Sequence, residues 1–205
     1  MTLKNHHETP GRSLLMMIFG GTGDLTHRKL LPAMYHLIAE GRLPEECSVI
    51  SIGRRDLTEA EYREQARASV KEHSRSGVDE QHMERFLSKL HYKRMEFISD
   101  PGSYAEFREW LEKNESLYKA PAVRLFFLAV APEFFGLIVQ RLRQNQLIVK
   151  RNPDHRVMIE KPFGSDLASA RELNATITEA LDEKQVYRID HYLGKEMIRN
   201  ILAIR

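Results

Sequence analysis

Six short apolar runs, each followed by a stretch of helical periodicity or by charged residues that end it, recur along this chain between Leu14 and Ile189. The first, Leu14-Leu15-Met16-Met17-Ile18-Phe19, is apolar at every position, which is how a strand buried on both faces reads. Ser48 to Ile52, a weaker run from His91 to Phe97, Val123 to Val130, Arg156 to Glu160 and Val186 to Ile189 supply the others. Between the first two, Leu30, Leu31, Met34, Leu37 and Ile38 keep helical spacing until Gly41 and Pro44 stop them. Thr58 with Glu61, and Ser103 with Glu106, have the spacing of capping boxes, the second for a helix through Leu111. Helical patterns also cover 79–90, the stretch from Pro132 to about Gln146, and 166–183. A strand-helix alternation repeated this often predicts an α/β fold: a doubly wound, mostly parallel sheet with helices on both faces and right-handed crossovers.

The whole chain has 205 residues, with 31 Lys+Arg against 29 Asp+Glu. That balance removes any whole-chain electrostatic case for a nucleic-acid partner. Leu14 to Phe19 is far shorter than the roughly 20 residues of a membrane-spanning helix, and no cationic leader with a small-residue cleavage site precedes it. The single cysteine, Cys47, fits a reducing compartment, so a cytoplasmic protein without membrane partners is expected. Residues 1–13 are polar and aperiodic and read as a flexible lead-in. At the other end, Ile198, Ile201, Leu202 and Ile204 keep helical spacing up to the last residue, so 191–205 reads as the start of a second domain cut short.

Ligands of open α/β sheets bind beyond the carboxyl ends of the strands, which directs attention to the turn after the first strand. It reads Gly20-Gly21-Thr22-Gly23-Asp24-Leu25-Thr26. Glycines there let the backbone turn tightly and approach a pyrophosphate, while the following helix offers its free amides and positive dipole end. Thr26 stands where a third small residue lets helix pack on strand. A P-loop is excluded, because no Gly-Lys followed by a hydroxyl residue occurs at the required distance from Gly20. The second strand ends Gly53-Arg54-Arg55 where an NAD site would carry a carboxylate for the ribose hydroxyls. Guanidinium groups grip a 2′-phosphate, so Rossmann-type binding of NADP over residues 14–190 is favoured, with NAD use left open, and Arg54 is the preferred contact.

Two further segments sit at strand ends. Glu160-Lys161-Pro162-Phe163-Gly164 puts Lys161 at the carboxyl edge, within reach of a phosphate or sugar hydroxyl. Arg188-Ile189-Asp190-His191-Tyr192-Leu193-Gly194-Lys195-Glu196 crowds an imidazole, a phenol and an ammonium at a helix start, a compact anion site. His191 lacks neighbours at metal-ligand spacing, so no metal is expected there.

These three motifs, in this order, resemble the glucose-6-phosphate dehydrogenase family. The resemblance runs over about residues 14–205. It implies oxidation of glucose 6-phosphate at C1 to 6-phosphogluconolactone, with hydride passing to NADP, the first oxidative step of the pentose phosphate pathway. By the same resemblance Gly20, Gly21, Thr22, Gly23, Asp24 and Leu25 hold the pyrophosphate, and Arg54 the 2′-phosphate. Lys161 touches cofactor and sugar, with Pro162 cis. His191, Tyr192 and Lys195 bind the 6-phosphate. Asp190 is implied to orient and charge-stabilise a catalytic histidine, which in the family lies in an Arg-Asn-His-Leu segment of a following β+α domain. No such segment occurs among these residues, so the resemblance implies negligible turnover by 1–205 alone and a homodimer or homotetramer for a full-length protein. Thr26 departs from the family's usual alanine. Sugar dehydrogenases of the Gfo/Idh/MocA type share the glycine turn and Glu160-Lys161-Pro162 but lack the segment from Asp190 to Glu196. A non-catalytic NADP-binding sensor is the alternative from outside the enzymes.

Overall fold

The computed structural model describes residues 13–74, 77–114 and 122–189. Six strands form a single sheet: β1 (Ser13–Phe19), β2 (Cys47–Gly53), β3 (Leu90–Arg94), β4 (Ala122–Leu128), β5 (His155–Glu160) and β6 (Val186–Ile189). Their order is β3-β2-β1-β4-β5-β6, and every neighbouring pair is parallel. The mostly parallel sheet expected from the sequence is, over these six strands, wholly parallel. Strand β1 lies at its centre, with Leu14 opposite Cys47 on one side and Val123 on the other.

The continuous apolar run of β1 divides by the period of two that any strand imposes. Leu15, Met17 and Phe19 enter one buried cluster, and Met16 and Ile18 enter the other. The first cluster is closed by α4 (Ser103–Lys113), α5 (Phe135–Gln144) and α6 (Leu167–Ala180), through Phe107, Ile138, Leu142 and Ile177. The second is closed by α1 (Leu31–Ala39), α2 (Glu59–His73) and α3 (Glu80–Ser88), through Met34, Tyr35, Tyr62 and Phe86. From Leu15 to Phe19 every residue of β1 is buried on one face or the other, and that stretch is wholly apolar.

Several boundaries differ from the sequence reading, each for a visible reason. A turn of π-helix, Thr26–Leu30, precedes α1 where an unbroken helix was expected. Ser103 is the first residue of α4 rather than its cap: Gly102 occupies that place, and Asp100 turns the chain by accepting the Gly102 amide on Oδ1 at 2.8 Å. The Ser103 hydroxyl donates back to the Asp100 carbonyl at 2.8 Å. Strand β3 stops at Arg94 because β2 stops at Gly53, whose carbonyl takes the Met95 amide at 2.9 Å. Pro132 opens a 3₁₀ turn, Pro132–Phe134, before α5. Helix α6 ends at Ala180 because Leu181 is already extended. The Thr58–Glu61 box forms as expected, with the Glu61 amide donating to Thr58 Oγ1 at 3.2 Å and the Thr58 amide to Glu61 Oε2 at 2.8 Å. No helix among the described residues is long and apolar enough to cross a membrane. Ser13, read from sequence as the last residue of the lead-in, instead begins β1 and pairs with Ala122; residues 1–12 and the helical pattern from Lys195 to Arg205 lie outside the described residues.

Candidate nucleotide-binding site

Strand order reverses between β1 and β4, and at such a point the loops leaving the carboxyl ends diverge to opposite faces and open a crevice. The glycine turn occupies it. Gly20 has φ +89°, and a Cβ there would lie 2.2 Å from the Ala129 carbonyl oxygen at the end of β4. A side chain on Gly21 would meet the Ile52 amide nitrogen at 2.9 Å. The turn is therefore wedged between the ends of β2 and β4, and only bare backbone fits.

Its amides are not all equivalent. Those of Gly20 and Gly21 both donate to the Ile52 carbonyl, at 3.0 and 2.8 Å, and that of Gly23 donates to the Gly20 carbonyl at 2.9 Å. An amide has one proton, so these three hold the turn together. The helical backbone begins at Asp24, and the first amides of a helix have no carbonyl one turn back inside it. The Thr22, Asp24 and Leu25 amides are thus the candidate anion donors, a narrower set than the whole turn. Asp24 itself is exposed and pairs with Arg28 at 3.6 Å. Thr26 is fully buried, and its Oγ1 donates to the Gly20 carbonyl at 2.9 Å, so the hydroxyl that replaces the family's usual alanine is packed and bonded.

The turn is buttressed from α2. Tyr62, fully buried, donates its hydroxyl to the Gly21 carbonyl at 2.7 Å, and burial pushes its ionisation far above the usual range. His27 lies 2.7 Å through Nδ1 from Ser69 Oγ, which itself donates to the Gln65 carbonyl at 2.8 Å. The Ser69 proton being spent on Gln65, Nδ1 is the donor of the pair. Burial, and then the charge of Arg55, keep the His27 pKa below its ordinary value.

A cleft of about 560 Å³ opens beside the turn, lined by Gly20, Gly23 and Gly53, the exposed Arg54 and Arg55, and an apolar side that includes Phe97 and Phe134. Arg141 from α5 fixes that apolar side, donating to the Phe97 and Ile98 carbonyls at 3.1 and 2.8 Å. Gly53 is bare because a Cβ would lie 2.8 Å from the Tyr92 hydroxyl and 3.0 Å from Thr22 Cγ2. The Tyr92 hydroxyl donates to the Arg55 carbonyl at 2.7 Å. The structure thus brings Gly20, Thr22, Gly23 and Arg54 to one cleft, and adds Arg55 on equal terms. The donor set, two guanidiniums and a helix start, suits a phosphorylated dinucleotide, and the Cβ-free backbone leaves room for one.

Lys161 is exposed at the carboxyl end of β5, and its bond to Pro162 is cis, as the resemblance implied. Lys161 is not part of the glycine cleft; Pro162 and Gly164 line a separate one of about 590 Å³ between α5 and α6. Phe163 of this loop lies under the Arg188 guanidinium, 5.0 Å from ring to carbon. Arg188 in turn donates to Asn174 Oδ1 at 2.9 Å and pairs with Glu183. Sequence reading gave no role to Arg188, nor to Tyr62 and Tyr92. Asp190, His191, Tyr192 and Lys195 lie outside the described residues, which end with β6 at Ile189.

Comparison with known proteins bears on the same features. The family model described as glucose-6-phosphate dehydrogenase, NAD binding domain, matches residues 17–200. The glucose-6-phosphate 1-dehydrogenase of Chlamydia pneumoniae is 42% identical over 195 residues, covering 93% of this chain and 38% of that protein. Among solved structures, glucose-6-phosphate 1-dehydrogenase from Mycobacterium avium superposes with a TM-score of 0.78 at 32% identity, over 95% of this chain and 39% of that one. A glucose-6-phosphate dehydrogenase in complex with its substrate glucose-6-phosphate gives a TM-score of 0.77 at 33% identity, with 95% and 40% covered. The chain therefore spans roughly two-fifths of the length of these relatives. With sheet order, glycine turn and family model agreeing over most of its residues, the chain belongs to the glucose-6-phosphate dehydrogenase family, whose nucleotide-binding domain it carries.

Proposed function

We propose that this chain is the nucleotide-binding part of a cytoplasmic, NADP-dependent oxidoreductase that converts glucose 6-phosphate to 6-phosphogluconolactone. The observation that carries the reading is the single cleft in which the glycine turn and the Arg54–Arg55 loop face the same space. The helix start at Asp24 and Leu25 meets the pyrophosphate, and Arg54 and Arg55 meet the 2′-phosphate; Glu96 also lines the cleft, and the two guanidiniums outnumber its carboxylate. NADP, when bound, accepts the hydride from C1.

Lys161, at the carboxyl edge two strands from β1, reaches from the nucleotide side toward the sugar. His191, Tyr192 and Lys195 bind the 6-phosphate, and Asp190 orients the histidine that removes the C1 hydroxyl proton; both assignments rest on the motif they form. That histidine falls in the portion of the relatives that this chain does not span, and the whole enzyme acts as a homodimer or homotetramer.

The test is nicotinamide reduction by the intact protein with glucose 6-phosphate or glucose, and with NADP or NAD. Reduction of NADP that requires the phosphorylated sugar is the expected result. Equal rates with glucose, or no reduction of either nucleotide, would reject the assignment. Residues 1–205 expressed alone should turn over negligibly; a rate near that of the intact protein would mean that the base lies within them.

A further inference from the structure

The two loops that face the nucleotide cleft leave different strands; the glycine turn bonds to the Ile52 carbonyl at the end of β2, and beyond Gly53 both loops end on the same pair of aromatic rings. Tyr62 reaches up from α2 to the Gly21 carbonyl, and Tyr92 reaches from β3 to the Arg55 carbonyl, each through a 2.7 Å hydrogen bond. The rings stack at 4.7 Å between centroids and 23° between planes. Tyr62 is fully buried and Tyr92 nearly so. The rest of the loop that Tyr92 holds is open: Arg54, Arg55 and Asp56 are all exposed, and Asp56 makes a surface pair with Arg94 at 3.5 Å. Such a pair contributes little to a fixed geometry. A bond to the Arg55 carbonyl instead fixes the backbone from which the guanidiniums project, and Gly53 lets the phenol come this close.

We propose that Tyr62 and Tyr92 are positioning residues which join the two halves of the nucleotide site, Tyr92 setting the discrimination between NADP and NAD and Tyr62 the affinity common to both. The inference rests on the cofactor reading above, since only a 2′-phosphate distinguishes the arginine loop from the glycine turn. Neither tyrosine lines the cleft; each acts through a backbone carbonyl. The stacked rings keep the two hydroxyls in register, each under its own loop.

The test is calorimetric titration of the intact protein and its variants with NADP and with NAD, without sugar, alongside thermal melts. Tyr92→Phe keeps the ring and removes the hydroxyl. It should weaken NADP roughly three- to ten-fold, the worth of one hydrogen bond, while leaving NAD within error, so the ratio of the two dissociation constants falls. Tyr62→Phe should weaken both nucleotides by a similar factor and leave the ratio unchanged. In the double variant the two losses of NADP affinity should add, each hydroxyl holding its own loop, while the loss of NAD affinity should equal that of Tyr62→Phe alone.

Variants that melt lower but bind both nucleotides as the parent does would overturn the proposal and leave the tyrosines with a packing role. Parallel loss of both nucleotides in Tyr92→Phe would overturn it equally. Should Tyr92→Phe fail to fold, Tyr62→Phe still decides, because a changed NADP to NAD ratio there contradicts the assignment. A parent protein with no preference for NADP would instead reject the cofactor reading, an outcome visible before any variant is made.

Discussion

A methyl group on residue 20 would collide with the Ala129 carbonyl at 2.2 Å, on a backbone with φ +89° that L side chains rarely adopt. Strain and overpacking combine, and Gly20→Ala should cost roughly 2–4 kcal/mol in a denaturant melt and abolish nucleotide binding by displacing the turn from the end of β4. Thr26→Ala restores the family's usual residue but deletes the bond to the Gly20 carbonyl, so a loss of about 1 kcal/mol is expected, read from the same melts. Arg54 carries the sharper functional prediction. Arg54→Ala should raise the KM for NADP about tenfold or more, the worth of a charge-assisted contact, and leave that for NAD nearly unchanged. A parallel rise in both would move the 2′-phosphate elsewhere, with Arg55 the first alternative.

Among elements, Gln185 shows how much one side chain can organise. It lies in the 3₁₀ turn Glu183–Gln185 before β6, is 3% exposed, and shares its side-chain amide protons among the Val149, Asn152 and His155 carbonyls at 3.0, 2.8 and 2.9 Å. Its Oε1 accepts the Arg151 and Asp182 amides at 2.9 and 3.0 Å. Gln185→Ala strands several buried backbone groups and should destabilise by about 3 kcal/mol, seen as a lower urea midpoint at unchanged slope. No periodicity announces such a residue; a glutamine beside a strand reads as a solvated one. Strand β1 was legible almost to the residue because burial on both faces leaves an uninterrupted apolar run, and the Thr58 cap was legible because its partner is three residues away. Ser103 misled because Asp100, three residues upstream, had already turned the chain. The site divides in the same way. Gly20 to Leu25 and Arg54 announce themselves by local spacing, whereas Tyr62 and Tyr92 look like any core aromatic until folding brings their hydroxyls to Gly21 and Arg55.

At the scale of the molecule, three histidines are held neutral by their surroundings. Burial, then the charge of Arg124, lowers His155 to about 4, and its Nδ1 accepts the Val149 amide at 2.9 Å. Burial also lowers His27 and His91, the latter opposed by Glu59. Unfolded, each takes a proton near pH 6.5; folded, each resists it, so the stability they contribute is complete above that pH and falls as the pH drops. For His155 the loss between pH 7 and pH 5 should be about 2 kcal/mol, ending near pH 4, and His155→Gln should flatten the profile. Urea midpoints at a series of pH values check both.

The central place of β1 has a consequence for how the chain comes into being. Its hydrogen-bonding edge toward β2 is satisfied early, by residues close behind it, but the opposite edge waits for β4, so that Leu14 meets Val123 only after the intervening helices have been made. Until then the most apolar segment of the molecule presents a bare ladder of amides and carbonyls, the template on which nascent chains pair wrongly with one another. Such long-range pairing is slow to nucleate. Synthesis at high copy number therefore favours clumping over maturation, and a holding chaperone, or slower translation between Phe19 and Val123, would raise the soluble yield.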